Sequence, residues 1–287
     1  MECDSWGNGS LRGFAIGTIL NGVVLNAMPA ITSLLATATL SALSKPEQTS
    51  HNWVRLFIGF ATKSGLDRGQ KIAEVLREFF KNLGMTPPDL SSEIMKRYDA
   101  LDAQLSQSPA YLAQKKVPGM LNWLQNLSQA GAIVFTTSVA STDTVDGQVA
   151  AYPELADSGL LFLGQDPTNL LKTKPHFAYV SKKFETKKSI LICDAGSEVR
   201  LARKNKIASI GIGLKNTHDY FLGMANAGLA CSGSHLKFLS LADISGIDPD
   251  IFTDDLREAG PDRLVIYRGA ESVVELNRVL KNLMETT

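Results

Sequence analysis

The stretch between Arg12 and Lys45 contains no charged residue, and this constrains the fold more than any other feature of the sequence. A membrane span needs about 20 predominantly apolar residues in succession, but Asn21 and Pro29 interrupt this run, as do several hydroxyl side chains. A signal peptide begins with basic residues, whereas this chain begins with acidic ones. We therefore expect a buried strand followed by a buried helix, with a signal peptide ending near residues 36–38 as the alternative.

Short apolar runs that alternate with helical patterns predict a parallel sheet covered by helices on both faces. After a first strand near Phe14, apolar runs occupy residues 132–135, 160–163, 189–193, 208–213 and 265–267. Helical patterns occupy residues 177–184, 198–205 and 273–284. The sequence thus predicts an α/β fold with a Rossmann-like sheet.

A block from about residue 44 to 114 has helical periodicity and no strand-like run. Ile72, Val75, Leu76 and Phe79 recur at three- and four-residue spacing, which is typical of an amphipathic helix. We expect residues 1–43 and 115–287 to form the α/β core. Residues 44–114 are expected to form an inserted helical cap.

The charges of the chain are balanced in total but not locally. The 29 basic and 29 acidic residues give no electrostatic footprint of a dedicated nucleic-acid binder, so we expect neither a nucleic-acid nor a membrane partner. Residues 170–216 contain eleven Lys or Arg against three acids, and residues 241–262 contain seven acids against one Arg. These segments are either ordinary solvated faces or a phosphate-attracting or partner-binding surface.

Three cysteines, odd in number and far apart, form neither a disulfide framework nor a metal-binding pattern. Disulfides persist in oxidising compartments and are rare in the cytosol. The cysteine pattern therefore predicts a reducing, cytoplasmic location.

Polar side chains follow several of the predicted strands, where ligands bind in open parallel sheets. Thr136 and Thr137 follow one run, Lys174 precedes a helix, and Asp194 and Glu198 follow another run. Hydroxyl and ammonium groups stabilise phosphoryl oxygens, and carboxylates hold a hard cation such as Mg²⁺. The set predicts a crevice for a phosphoryl group, although each residue alone also fits a capping or surface role.

The order of these motifs resembles the haloacid dehalogenase-like (HAD-like) superfamily of phosphatases and phosphomutases. Its members have an early Phe-Asp-x-Asp-Gly-Thr-Leu segment, often a helical cap after it, a strand ending in Thr or Ser, a Lys-Pro pair, and a hydrophobic-Gly-Asp-Ser-x-x-Asp segment. This chain has Phe14 to Leu20, residues 133–138, Lys174-Pro175 and residues 192–198 in that order. The resemblance covers about residues 12–215 and implies a HAD-like core with an α-helical cap.

The opening motif departs from the family at both catalytic positions. In this match, the family's nucleophilic Asp falls on Ala15 and its acid/base Asp falls on Gly17. Neither side chain can attack phosphorus or move a proton, so no catalytic residue is expected. The resemblance assigns the remaining roles as phosphate contacts to Thr136, Thr137 and Lys174, with Lys172 as an alternative, and a weakened Mg²⁺ site to Asp194 and Glu198; it implies no other cofactor.

These departures predict a pseudo-phosphatase that binds a phosphorylated small molecule or a protein partner without turnover. Two alternatives stay open. One is an active, Mg²⁺-dependent phosphate-ester hydrolase that uses a carboxylate displaced onto a loop. The other is a structural subunit that docks a partner and has no ligand. The pattern does not fix the oligomeric state.

Overall fold

The computed structural model describes residues 6–7, 9–63, 68–165, 174–215, 218–230 and 241–286. Two compact units divide the chain: an α/β unit of Met1–Asn26, Lys116–Leu214 and Asp255–Thr287, and a helical unit of Ala27–Lys115 and Lys215–Asp254. The expected boundary near residue 115 coincides with an observed one. The helical unit is larger than expected, because it also takes in residues 27–43 and 215–254, which the sequence pattern assigned to the core.

The α/β unit is built on a parallel sheet, as the alternating pattern predicts. The described residues form six strands: β1 Phe14–Ile19, β2 Ile133–Ser141, β3 Leu161–Gln165, β4 Lys188–Cys193, β5 Ala208–Leu214 and β6 Arg263–Tyr267. Their order across the sheet is β3-β2-β1-β4-β5-β6, with every neighbouring pair parallel. All strands therefore end at one edge, the carboxyl edge, and begin at the opposite amino edge.

Helices flank the sheet and make up the second unit. Those of the α/β unit are α6 Met120–Gln129, α7 Thr142–Ala150, α8 Pro153–Ala156, α9 Lys174–Phe184, α10 Gly196–Lys204 and α14 Val273–Thr286. Those of the helical unit are α1 Met28–Ala42, α2 Ser50–Thr62, α3 Arg68–Lys81, α4 Ser91–Leu105, α5 Pro109–Gln114, α11 His218–Ala230 and α12 Leu241–Ser245. Helix α13, Ile251–Ala259, runs across the boundary between the units.

Burial explains the uncharged stretch, and the expected strand and helix are confirmed. All six residues of β1 are buried at the centre of the sheet. Helix α1 packs against α2, α4 and α11 inside the helical unit, so most of its surface is also buried. Two of its buried polar groups are paired there: Ser33 Oγ donates to the Ala225 carbonyl at 2.7 Å, and Trp53 Nε1 donates to Thr37 Oγ1 at 3.1 Å. A charge on either element would lose its hydration without gaining a partner.

The helical unit has its own aromatic core. The Phe57 ring lies 5.3 Å from the Trp53 ring and 5.9 Å from the Phe221 ring, measured between centroids. The apolar face of α3 predicted from its periodicity is buried against this core. Among the described helices, none has both the length and the apolar character needed to cross a bilayer.

Candidate functional site

The turn that follows β1 brings the chain to the carboxyl edge of the sheet. The strand ends at Ile19, and Leu20–Val24 form a wide turn in which Asn21 and Gly22 depart from helical backbone angles. The Leu25 N–H donates to the Leu20 carbonyl at 2.8 Å, and the Gly22 N–H donates to the Leu25 carbonyl at 2.6 Å. Residues 19–22 are therefore the first part of the central strand to reach the edge where ligands bind in such sheets.

Asp194 lies directly against this turn. It follows β4, which is a neighbour of β1, so both segments leave the sheet at the same edge. A Cβ atom on Gly22 would come within 2.0 Å of Asp194 Oδ2, and Gly22 has a φ of 125°. Only glycine meets both the left-handed backbone and the close approach of the carboxylate. The predicted site residue Asp194 is thus placed at the end of β1.

Ala15 and Gly17, to which the sequence match assigned the two catalytic positions, lie inside the sheet packing and not at this turn. Ala15 is fully buried within β1, in register with Ile133 and Ser189 of the neighbouring strands. A Cβ on Gly17 would come within 2.6 Å of the Phe177 ring, so this residue packs against α9. The strand continues beyond both residues, because β2 pairs with it as far as Ile19 and β4 pairs with it as far as Thr18.

The two predicted threonines point to opposite faces of the sheet, since successive side chains of a strand alternate. Thr136 is fully buried, and its hydroxyl has no hydrogen-bond partner in the structure. It lies in register with Thr18 of β1, whose buried hydroxyl is likewise without a hydrogen bond. These two hydroxyls lie inside the sheet packing, short of the carboxyl edge.

Thr137 is held by a buried histidine. Its Oγ1 lies 2.6 Å from His176 Nδ1, and His176 Nε2 lies 3.1 Å from the Gly164 carbonyl oxygen of β3. A carbonyl only accepts, so in the neutral ring Nε2 carries the proton and the Thr137 hydroxyl donates to Nδ1. That hydroxyl is consequently not available as a donor to a phosphoryl oxygen. Sequence reasoning missed His176, although it directly follows the Lys174-Pro175 pair.

Comparison with known proteins agrees with this topology. No family model matches the sequence, and no curated protein does. A predicted phosphoglycolate phosphatase from Haemophilus somnus matches with a TM-score of 0.58 at 14% identity, over 92% of this chain and 97% of its own. A hydrolase from Pseudomonas syringae matches with a TM-score of 0.55 at 16% identity, over 93% and 98%. A haloacid dehalogenase-like protein from Agrobacterium tumefaciens matches with a TM-score of 0.54 at 13% identity, over 95% and 99%.

The chain has a HAD-like fold. The resemblance drawn from the sequence is confirmed at this level, and identities this low support the fold alone. Within the HAD-like fold, the position of each motif is set by where its strand ends. This decides which residues stand at the catalytic positions.

Ile19 and Asn21 stand on either side of Leu20 at this turn, directly before Gly22. The Ile19 side chain is buried. Asn21 Nδ2 donates to Gln148 Oε1 of α7 at 3.2 Å, and its buried Oδ1 has no hydrogen bond in the structure. A signal was present in the sequence, since Asn21 and Gly22 were expected to form a loop.

The two carboxylates predicted to hold a metal are those of Asp194 and Glu198. Glu198 is buried in the first turn of α10, one helical turn after Asp194. No group of three or more His, Cys, Asp or Glu side chains that suits a metal occurs among the described residues. Sites of this kind hold Mg²⁺ by one or two carboxylates together with substrate phosphate. These two residues alone therefore do not fit a resident ion, and weak Mg²⁺ binding stays a prediction.

Lys174 begins α9 and thus precedes the helix turn that His176 fixes to the ends of β2 and β3. Its side chain lies outside the described part of the structure, as does all of Lys172. The predicted phosphate contact of Lys174 accordingly stays a prediction.

Proposed function

We propose that this protein is a pseudo-phosphatase: a HAD-like fold that binds a phosphorylated small molecule or a protein partner and does not turn over phosphate esters. One observation carries the proposal. At the end of β1, beside Asp194, the two positions that hold carboxylates in the family motif hold Ile19 and Asn21.

The chemistry of these two side chains supports the absence of turnover. An isoleucine side chain has no lone pair with which to attack phosphorus. A neutral amide such as that of Asn21 neither takes nor gives a proton near pH 7. Loss of a catalytic nucleophile alone costs about 10⁴- to 10⁶-fold in turnover in other enzymes. Both losses fall on the same turn.

The proposal that the protein binds a ligand rests on the groups that lie at the carboxyl edge of the sheet. The turn after β1, the Asp194 carboxylate against it, and the start of α9 with Lys174 are all at this edge. Because His176 fixes the start of α9 to β2 and β3, a ligand would meet a preorganised edge.

The test is a gain of function. Wild-type protein is expected to release no Mg²⁺-dependent phosphate from a panel of phosphate esters. The double variant Ile19→Asp/Asn21→Asp is expected to gain release that a further Asp194→Ala change removes. The matched control, Ala15→Asp/Gly17→Asp, is expected to gain nothing and to unfold, since both residues lie inside the sheet packing. Wild-type turnover that Asp194→Ala abolishes would refute the proposal.

A second candidate is an active hydrolase with a displaced carboxylate, and one contact favours it. Helix α7 follows β2 at the carboxyl edge, and its Gln148 is bonded to Asn21. Asp143 and Asp146 of the same helix are exposed. Turnover by the wild type that is lost in Asp143→Asn or Asp146→Asn would establish this candidate.

A purely structural subunit is the remaining alternative, and ligand-dependent melting separates it from the first proposal. A ligand that binds only the folded state raises the melting midpoint. A rise with phosphate or sulfate supports a phospho-ligand, whereas an unchanged midpoint in phosphate, sulfate and Mg²⁺ favours a subunit that only docks a partner.

A further inference from the structure

The amino edge of the sheet carries a row of cations, at the opposite ends of the strands from the candidate site. Strands β1, β4, β5 and β6 are successive neighbours, and their starts are staggered: Phe14 lies opposite Lys188, Ala208 opposite Ile190, and Arg263 opposite Ile210. Basic residues precede or begin each of these strands, and the last turns of α9 and α10 add more. We name this set the basic row: Arg12, Lys182, Lys183, Lys187, Lys188, Lys204, Lys206 and Arg263.

Backbone contacts join the start of β4 to the start of β1. The N–H groups of Lys187 and Lys188 both donate to the Gly13 carbonyl, at 2.8 and 3.1 Å. Gly13 directly follows Arg12, so the start of β4 and the start of β1 present their cations together. Strands β5 and β6 each start two residues further along than the neighbouring strand. With strands about 4.8 Å apart and a rise of about 3.3 Å per residue, the four strand starts span about 20 Å along a diagonal.

The cations of the row are exposed and carry no acidic partner within the described residues. Every member is solvent-exposed, and the ion pairs of the described chain involve other residues. Acids also lie along this edge among the described residues, and the exposed Glu258 in the last turn of α13 is one of them. Glu185 is exposed, and Asp262 Oδ2 accepts a hydrogen bond from the Ser209 N–H at 2.7 Å. The row is therefore strongly positive on a chain with no net charge.

Helix dipoles account for part of the row but not for all of it. Cations in the last turn of a helix complement its partial negative charge, which explains Lys182, Lys183 and Lys204 at the ends of α9 and α10. Arg12, Lys187, Lys188, Lys206 and Arg263 lie outside those last turns. Their accumulation at one edge needs another reason, and an anionic partner provides one.

We propose that the basic row docks an acidic segment of a partner protein, a run of about six carboxylates in extended conformation. An extended chain rises about 3.3 Å per residue, so such a run matches the span of the four strand starts. This surface is distinct from the carboxyl edge, and the inference does not depend on whether that edge binds phosphate.

The aromatic rings beside the row argue against nucleic acid as the occupant. Binding of single strands uses open aromatic faces on which bases stack. Here Lys188 Nζ lies 5.3 Å above the Phe14 ring, and Lys183 Nζ lies 5.4 Å from the centroids of Tyr179 and Phe184. The cations cover the rings. Most members are lysines, which lack the planar fork that arginine offers to phosphate.

A membrane surface is disfavoured by the lack of apolar side chains around the row. Interfacial binding combines basic residues with apolar ones that enter the lipid. Of the exposed large apolar side chains in the described chain, Tyr179 alone belongs to the elements that carry the row. A flexible acidic peptide needs neither stacking nor insertion, because charge attraction alone brings it to the row.

The experiment measures binding of a fluorescent decaglutamate peptide to the full chain by anisotropy, at about 50 mM and about 200 mM salt, which shorten the Debye length progressively. Wild-type protein is expected to bind, with at least tenfold weaker affinity at the higher salt. The triple variant Lys183→Glu/Lys187→Glu/Lys188→Glu is expected to lose at least tenfold in affinity at low salt.

The matched control, Lys45→Glu/Lys81→Glu/Lys96→Glu, changes the net charge equally at exposed sites of the helical unit, and is expected to lose less than twofold. Circular dichroism and melting of both variants establish that each is folded. Failure of the wild type to bind, equal losses in the two variants, or tighter binding of oligothymidine or of anionic phosphatidylserine vesicles than of decaglutamate would each overturn the proposal.

Discussion

Replacement of His176 by phenylalanine tests the buried link between β2, β3 and α9. The imidazole accepts from the Thr137 hydroxyl and donates to the Gly164 carbonyl, and both His176 and Thr137 are fully buried. Phenylalanine fills a similar volume but makes neither of these two hydrogen bonds. Each buried group left without its hydrogen bond costs about 1 to 3 kcal/mol. We therefore expect His176→Phe to lower the free energy of unfolding of the α/β unit by about 3 kcal/mol.

A double-mutant cycle isolates the hydrogen bond between the two side chains. Thr137→Val alone leaves the imidazole nitrogen without its donor and is expected to cost about 1 to 2 kcal/mol. In the double variant both partners of this hydrogen bond are absent, so the bond is lost only once. The cost of the double variant is therefore expected to be about 1 to 2 kcal/mol below the sum of the two single-variant costs. Additivity within about 0.5 kcal/mol would refute the assigned bond.

Tryptophan fluorescence during urea unfolding can report on one unit at a time. Trp6 and Trp123 both donate to Asn277 Oδ1, at 3.0 and 2.7 Å, within the α/β unit. Trp53 lies in the helical unit, so a Trp53→Phe background leaves only reporters of the α/β unit. All variants of the cycle are compared in that background. Tyr179→Phe, on the exposed face of α9, is the control and is expected to change stability by less than about 0.5 kcal/mol.

Three further changes follow from particular contacts. Lys206→Gly is expected to stabilise the protein by about 0.5 to 1 kcal/mol in thermal melting, because Lys206 has a φ of 57° that glycine adopts without strain; destabilisation would contradict this. Asp255 Oδ2 accepts a hydrogen bond from the Gly196 N–H at 3.0 Å and caps α10. Asp255→Ala is therefore expected to cost about 1 to 2 kcal/mol in urea unfolding, and Asp255→Asn is expected to cost less, because asparagine keeps an acceptor oxygen. Equal costs for the two variants would contradict the cap. Burial raises the pKa of Tyr267 to about 12, above its value of about 10 in the unfolded chain. The folded state therefore holds an extra proton between these values, and stability falls as pH rises from 10 to 12. Tyr267→Phe should flatten this fall in the melting midpoint, and an unchanged slope would count against the shifted pKa.

The main elements of the fold could be predicted because each has a local pattern. The run at residues 189–193 corresponds to β4, Lys188–Cys193, and the run at 208–213 corresponds to β5, Ala208–Leu214. The predicted helix at 273–284 corresponds to α14, Val273–Thr286. The parallel topology followed from the alternation of such segments. Domain membership was less accessible, because residues 215–254 join the helical unit through contacts of α11 with α1, far away in sequence.

The candidate site shows how far local pattern reaches. Asp194 could be found because a carboxylate after an apolar run is visible in the sequence. The positions on β1 could not, because Phe14-Ala15-Ile16 already looked like a complete strand and Gly17 like the start of a loop. His176 was missed, because no pattern in the sequence indicates that its ring contacts the ends of β2 and β3.

The amino-acid sequence by itself determined that a charge-free strand and helix must be buried, that strands and helices alternate into a parallel sheet, and that no carboxylate stands in the opening motif. These properties depend on side-chain chemistry and on short-range periodicity. Tertiary structure decided where the central strand ends, because a strand stops where its neighbours stop pairing with it. It places Ile19 and Asn21 at the turn beside Asp194, where the proposed function sets the two carboxylate positions of the family, and leaves Ala15 and Gly17 inside the sheet. The strand order also brings the residues of the basic row to the starts of neighbouring strands, and Arg12 and Arg263 belong to that row although they are far apart in the sequence.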